Sequence, residues 1–201
     1  MPDRSSGTAW STHYGFDDFL TDLEMITTLE KDTGEIIRKI SRKMRLVTNS
    51  AEFLTDAERG SDSKHYARHL VHLDRQRRFV VMSAVWQPGQ GTPVHDHGTW
   101  GVMGILVNEL KVTNYLRVDD GKRPGHAELR ESTGALGTPG SVSYVLPPNE
   151  EIHKVENVSD RTTLSLHVYG QDIIECNMYD IENHAVMPYV PQFESVGRAD
   201  R

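Results

Sequence analysis

The sequence predicts a mainly β protein, a sandwich or barrel of short strands that follows an N-terminal helical segment. In the first third of the 201-residue chain, apolar residues recur at the three- and four-residue spacing of a helix face. From about residue 78 the chain instead divides into seven or eight short β-type segments separated by turn-forming residues. Short strands at even spacing are typical of sandwiches and barrels.

Two or three helices are expected before the strands. Residues 14–31 carry the apolar spacing of one buried helix face. Asp32 can cap a second helix through its side-chain carboxylate, and Ser50 can cap a short third one.

The strand region is the larger part of the chain. The expected strands span residues 78–86, 102–107, 110–118, 127–131, 141–146, 152–157 and 162–169. We therefore divide the chain into a helical segment packed on a barrel, the barrel with the candidate site, and a loosely attached C-terminal tail. These parts cover residues 1–62, 63–175 and 176–201.

Composition excludes several classes of function. A net charge of −7 argues against a nucleic-acid partner, because phosphate binding needs a surplus of basic residues. No stretch approaches the roughly 20 apolar residues that cross a bilayer, so no membrane partner is expected. The first residues resemble no secretion signal, which favours a cytoplasmic protein. The single cysteine, Cys176, excludes an internal disulfide and a cysteine-rich zinc site.

Ten histidines stand out in this acidic chain, and three of them form a candidate metal site. His95 and His97 lie two residues apart at the start of a strand, where side chains at that spacing share one face. His153 follows a Pro-Pro turn and can approach them from a distant antiparallel strand. Three imidazoles leave open positions that suit redox chemistry at iron or hydrolysis at zinc.

A second group of polar residues alternates along a later strand. Ser165, His167 and Tyr169 alternate with apolar residues, so all three are expected on one face. Buried polar groups need partners, which predicts a hydrogen-bonded relay that fixes the imidazole tautomer and places a phenol near the metal. Trp86 and Trp100 are further candidates that could shield this site from water.

The histidine motif resembles the two-part signature of the cupins, which are jelly-roll β-barrels with a metal in the mouth. The residues that carry this resemblance are Gly89, His95, His97, Gly140, Pro148, His153 and Asn157. It covers roughly residues 78–169 and implies a cupin jelly-roll barrel. Most cupins add a carboxylate ligand four or five residues after the second histidine, where this chain has Gly101 and Val102. The resulting neutral ligand set matches an anionic thiolate substrate.

Together, these motifs resemble the thiol dioxygenases of the cysteine dioxygenase family. The resemblance implies that His95, His97 and His153 bind Fe(II) and that Ser165, His167 and Tyr169 form the catalytic outer-sphere triad. It also implies that Tyr66 and Arg68 match the Tyr-x-Arg pair that holds the substrate carboxylate. The implied reaction uses O2 to oxidise a small thiol carboxylate, with L-cysteine favoured, to its sulfinic acid.

Two differences from other members indicate which branch of that family the chain resembles. Gly101 and Val102 stand where mammalian-type members have the cysteine that is crosslinked to the catalytic tyrosine, which indicates a bacterial-type member without the crosslink. Bacterial relatives that act on 3-mercaptopropionate usually have Gln where this chain has Arg68, which favours cysteine.

Other functions remain open at this point. Within the family, the substrate could instead be 3-mercaptopropionate or mercaptosuccinate. Outside it, the chain could be a zinc or nickel isomerase, another dioxygenase, or a non-enzymatic metal-binding cupin sensor. The sequence does not determine the oligomeric state.

Overall fold

A computed structural model describes residues 14–173 and 175–190 of the chain. The predictions for residues 1–13 and 191–201 therefore lie outside the described residues. Among the described helices, none has the length and apolar character needed to cross a membrane.

Two helices open the described chain, α1 (Phe16–Leu29) and α2 (Thr33–Val47). The Asp32 carboxylate caps α2 by accepting a hydrogen bond from the backbone N–H of Glu35 at 2.9 Å, as predicted. The expected third helix is reduced to a single 3-10 turn, Ala57–Arg59.

Eleven strands in two antiparallel sheets follow the helices in the described chain. The first sheet, in spatial order, consists of β1 (Ala67–Leu73), β2 (Val80–Trp86), β9 (Thr163–Tyr169), β4 (Gly101–Val107) and β7 (Val142–Val145). The second sheet consists of β11 (Ala185–Tyr189), β10 (Cys176–Asp180), β3 (Val94–His95), β8 (Ile152–Glu156), β5 (Leu110–Arg117) and β6 (Leu129–Gly137). The fold is the jelly-roll barrel that the cupin resemblance implies.

The first sheet is buried on both faces. Its outer face packs against α1 and α2, and Leu164, Leu166 and Val168 of β9 belong to that cluster. Its inner face contributes Trp86 and Met103 to a second cluster inside the barrel. Strand residues alternate between the two faces of a sheet. Ser165, His167 and Tyr169, which alternate with these apolar residues, must therefore point into the barrel.

The prediction of a loosely attached tail from residue 176 is wrong for the described residues 176–190. Strand β10 pairs with β3, with Met178 opposite His95, and β11 pairs with β10 along its whole length. The local sequence conceals this hairpin because Pro188 is a poor strand residue except at a sheet edge, which is where β11 lies. The hairpin is therefore part of the barrel.

Two other strands differ from the sequence prediction. Strand β1 lies ahead of the first expected strand, in a segment whose histidines are spaced like a helix face. Strand β6 continues to Gly137, beyond residue 131 where the expected strand ends, because Gly134 pairs with Thr113 of β5. In both cases pairing with a neighbouring strand overrides the local preference.

We predict that Gly104→Ala destabilises the packing of the helices on the barrel. A Cβ at position 104 would lie 2.6 Å from Met44 Cγ and from Thr48 Cγ2, so α2 or its side chains must shift. Overpacking of this kind costs about 1–3 kcal/mol, which denaturant-induced unfolding measures. Gly134→Ala is the matched control, since its Cβ would meet no atom closer than 3.8 Å. Equal stability of the two variants would contradict the prediction.

Candidate metal centre

Three histidines converge at one end of the barrel interior. His95 on β3 lies directly opposite His153 on the neighbouring strand β8. The centroids of the His95 and His97 rings are 4.6 Å apart, and the His153 ring lies 4.8 Å from each of them. One ring nitrogen from each histidine lies within 4.8 Å of a ring nitrogen of the other two, so the three imidazoles could share one metal ion.

Backbone carbonyls orient two of the three rings. His95 Nδ1 lies 3.1 Å from the carbonyl oxygen of Pro93, and His97 Nδ1 lies 3.1 Å from that of Glu151. A carbonyl can only accept, so each Nδ1 carries a proton and each Nε2 keeps its lone pair. The two rings are thereby held in the tautomer that binds a metal through Nε2.

Burial keeps the three histidines neutral. Desolvation lowers the pKa of His95 to about 4 and those of His97 and His153 well below the ordinary value. All three imidazoles therefore present neutral lone pairs at physiological pH. This donor set fits a first-row divalent metal such as Fe(II) or Zn(II).

The loop around His97 is held by two carboxylates. The strand prediction placed both motif histidines in β3, but β3 ends at His95 and His97 lies in the loop beyond it. The Glu151 carboxylate accepts hydrogen bonds from the backbone N–H groups of His97, at 3.2 Å, and Gly98, at 2.9 Å.

Asp96, between the two histidines, ties the same loop to β10. Its carboxylate accepts from the backbone N–H and side-chain amide of Asn177, at 2.7 and 2.8 Å, and from the Tyr179 hydroxyl at 2.7 Å. Sequence reasoning missed both carboxylates as supports of the site. For Asp96, its position inside the His-x-His motif was the available signal.

The three alternating residues of β9 form a hydrogen-bonded chain inside the barrel. Ser165 Oγ lies 2.9 Å from His167 Nε2, and His167 Nδ1 lies 3.0 Å from the Tyr169 hydroxyl oxygen. Trp86 extends the chain, because its indole Nε1 donates to Ser165 Oγ at 2.9 Å. The Tyr169 ring stacks beside His97, with 5.7 Å between centroids, so this chain ends next to the three histidines.

Burial also fixes the charge states of this chain. Desolvation, assisted by the nearby positive charge of Arg68, lowers the pKa of His167 to about 3. Desolvation raises the pKa of Tyr169, although Arg68 opposes that rise. The histidine and the phenol are therefore both neutral at physiological pH.

Arg68 lies on β1, and Tyr66 directly precedes that strand. Both residues line the same cavity as the histidines and Tyr169. The Tyr66 ring stacks on Trp86 with centroids 4.3 Å apart and an interplanar angle of 7°. Arg68 is only 8% exposed, and its Nη2 lies 3.6 Å from Met82 Sδ. The cavity lining thus includes seven of the eight predicted site residues, and the eighth, Ser165, contacts one of them through its hydrogen bond with His167.

The cavity carries one fixed charge. Arg68 is the only Lys or Arg among the described residues that line it, and no Asp or Glu is among them. The rest of the lining is neutral and includes Met82, Ile173, Cys176 and Tyr189. Burial raises the pKa of the Cys176 thiol to about 11, so it stays protonated.

Sequence reasoning missed Cys176 and Tyr189 as lining residues because both belong to the hairpin that was expected to be a tail. Trp100 packs with the cluster on the helix side and is not among the described cavity residues, whereas Trp86 is.

Gly101 lies against the ring of Tyr169. A Cβ at this position would come within 2.7 Å of Cδ1 and Cε1 of the Tyr169 ring. The tyrosine ring thus occupies the space that a side chain at position 101 would need.

Comparison with known proteins identifies similar sequences and folds. The family described as Cysteine dioxygenase type I matches residues 35–182. Cysteine dioxygenase type 1 of Danio rerio is 28% identical over 126 residues, which cover 59% of this chain and 58% of the relative. Cysteine dioxygenase type 1 of Rattus norvegicus is 28% identical over 137 residues, covering 66% of this chain and 64% of the relative. The matches therefore span less than two thirds of the length of these relatives.

Two solved structures are also similar to this chain. TT1209 from Thermus thermophilus is 24% identical with a TM-score of 0.42, covering 58% of this chain and 92% of that one. A protein with a double-stranded β-helix domain from Klebsiella pneumoniae is 16% identical with a TM-score of 0.45, and the match covers 62% of this chain and 87% of that one.

We predict that His153→Ala removes metal binding. The substitution deletes one of three converging imidazoles, and the metal content after anaerobic incubation with Fe(II) and desalting should fall by at least about tenfold. Elemental analysis by mass spectrometry measures this. His184→Asn is the control, because His184 is an exposed residue whose φ of 51° also suits Asn. Full metal retention in His153→Ala would show that His153 is not a ligand.

Proposed function

The chain belongs to the cysteine dioxygenase type I family, and from that premise we propose that it is a non-haem iron thiol dioxygenase. Its reaction would convert a thiol RSH and O2 into the sulfinic acid RSO2H, with both oxygen atoms transferred to sulfur. The proposed substrate is a small thiol carboxylate, with L-cysteine favoured, and the proposed cofactor is Fe(II).

One observation carries this proposal. Three neutral imidazoles, with no carboxylate ligand among the described residues, face the same cavity as a buried arginine. The arginine can bind an anionic group at a fixed distance from the metal ligands. A substrate with a thiol at one end and a carboxylate at the other matches that arrangement.

His95, His97 and His153 are the residues that would hold the iron. A ferrous ion there would lower the pKa of a bound thiol and supply electrons for O2 chemistry. The neutral ligand set leaves the full positive charge of the ion to attract the thiolate.

Arg68 is the proposed carboxylate-binding residue. A guanidinium binds a carboxylate through two parallel N–H donors, and burial strengthens that interaction relative to the surface. Tyr66, held flat against Trp86, lies beside Arg68 and can donate a further hydrogen bond to the same carboxylate.

The proposed catalytic group is Tyr169. His167 and Ser165 hold its hydroxyl beside the three histidines, where it can donate a hydrogen bond to the reacting substrate. Because its pKa is raised by burial, the phenol keeps its proton at physiological pH and acts as a donor.

The charge of the cavity bears on each candidate substrate. An ammonium group has no acidic partner among the described lining residues, so the amine of cysteine would enter in its neutral form. The same lining suits 3-mercaptopropionate, which has no amine and is the second candidate. The second carboxylate of mercaptosuccinate would lack a fixed cation within the described lining.

An oxygen-electrode panel tests the proposed reaction. L-Cysteine, 3-mercaptopropionate, mercaptosuccinate and cysteamine are each added to the iron-loaded protein, and sulfinate is identified by mass spectrometry. For a thiol carboxylate we expect one sulfinate to form for each O2 consumed. This activity should be lost when the iron is chelated, and zinc should not restore it. A protein that binds these thiols without consuming O2 would be a binding module, and activity with zinc alone would exclude the iron assignment.

We predict that Arg68→Ala lowers kcat/KM for the thiol carboxylate by about 10- to 100-fold, chiefly through KM, because a charge-assisted hydrogen-bonded pair is lost. Cysteamine, which has no carboxylate, is the control substrate and should be nearly unaffected. Arg68→Lys, which keeps the charge but not the planar pair of donors, should fall between wild type and Arg68→Ala. Equal losses on both substrates would rule out the carboxylate role of Arg68.

A further inference from the structure

We propose that Trp86 is a positioning residue that sets the direction of the Ser165–His167–Tyr169 hydrogen-bond chain, so that the Tyr169 proton points into the cavity. The catalytic use of that proton rests on the proposed function, whereas the direction of the chain follows from the geometry alone.

Trp86 is fixed at the end of β2. Its side chain is 1% exposed, and its backbone carbonyl accepts a hydrogen bond from the Asn157 side-chain amide at 2.9 Å. One face of the indole stacks on Tyr66, and the indole Nε1 reaches Ser165 Oγ. The indole therefore has little freedom to rotate away from the serine.

The direction of the chain follows from the chemistry of its first member. An indole N–H can only donate, so Ser165 Oγ uses a lone pair to accept from Trp86. The serine hydroxyl proton is then available for its other partner, His167 Nε2. Donation by Ser165 requires that Nε2 carry no proton.

His167 passes the direction on to Tyr169. The imidazole is neutral and has one ring proton, which must be on Nδ1 if Nε2 accepts. Nδ1–H then donates to the Tyr169 hydroxyl oxygen at 3.0 Å. The phenol proton is not used within this chain and is free to turn toward the cavity that Tyr169 lines.

The opposite direction leaves a buried proton unsatisfied. If Tyr169 donated to Nδ1, His167 Nε2–H would donate to Ser165, which would then accept from both sides. The Ser165 hydroxyl proton would have no other partner among the described residues, although its side chain is completely buried. An unsatisfied buried hydroxyl is costly, so the Trp86 N–H selects the first direction.

Trp86 also contacts the carboxylate-binding side of the cavity. Because its ring stacks on Tyr66, a single side chain supports both the hydrogen-bond chain and the Tyr66–Arg68 pair. A substitution that keeps an aromatic ring against Tyr66 but removes the N–H separates these two contributions.

The first test reads the tautomer of His167 directly. Two-bond 1H–15N correlation spectra of the full-length, metal-free protein distinguish a protonated Nδ1 from a protonated Nε2, and His167→Gln assigns the signals. We expect the Nδ1–H form in the wild-type protein. The Nε2–H form in the wild type would overturn the proposal, and this measurement requires neither a Trp86 variant nor activity.

The second test uses Trp86→Phe, which removes the N–H donor and keeps an aromatic ring that can stack on Tyr66. We expect a detectable population of Nε2–H His167 and, in the iron-loaded enzyme, a fall in kcat of about 3- to 10-fold with little change in KM. Trp100→Phe is the matched control and should leave the tautomer unchanged.

A double substitution tests whether Trp86 acts through the serine. Ser165→Ala removes the link, so Trp86→Phe should have no further effect on kcat in that background. Additive losses would show that Trp86 acts independently of the chain and would overturn the proposal. If no thiol is oxidised at all, the proposed function fails while the tautomer measurement still decides the direction of the chain.

Discussion

The pairing of the two-residue strand β3 with β8 on one side and β10 on the other is the constraint on which the site depends. It sets His95 opposite His153 on one side and opposite Met178 of the C-terminal hairpin on the other. A strand this short has few backbone hydrogen bonds of its own, and the carboxylates of Asp96 and Glu151 supply the rest. The candidate metal centre, the loop after β3 and the last described strands are therefore one structural unit.

A second constraint is that the first sheet is buried on both faces. Apolar side chains of β9 fill the space under the helices, which forces the intervening serine, histidine and tyrosine into the barrel. Buried polar groups are tolerated only when they are hydrogen-bonded, and the three satisfy one another in sequence, with Trp86 at the far end. The same alternation that builds the core thus builds the hydrogen-bond chain.

The electrostatics of the cavity follow from burial. Desolvation keeps four histidines and a phenol neutral, so Arg68 is left as the one fixed charge in the described lining. A metal ion would add a second positive centre at a set distance from the guanidinium. This pairing of two positive centres in a neutral enclosure is the physical basis for proposing a short substrate with an anionic group at each end.

The sequence by itself determined the mainly β fold class, six of the eight candidate site residues and the inward face of β9, because these depend on local periodicity and on residue chemistry. The family resemblance added the other two, Tyr66 and Arg68. It could not determine the C-terminal hairpin or β1, since their strand character comes from pairing with other strands, β10 with the distant β3 and β1 with the neighbouring β2. For the same reason it missed Cys176 and Tyr189 in the cavity lining, and the supports at Asp96 and Glu151. Only the tertiary structure decided which distant groups meet, including the contact between Trp86 and Ser165 on which the proposed direction of the hydrogen-bond chain rests.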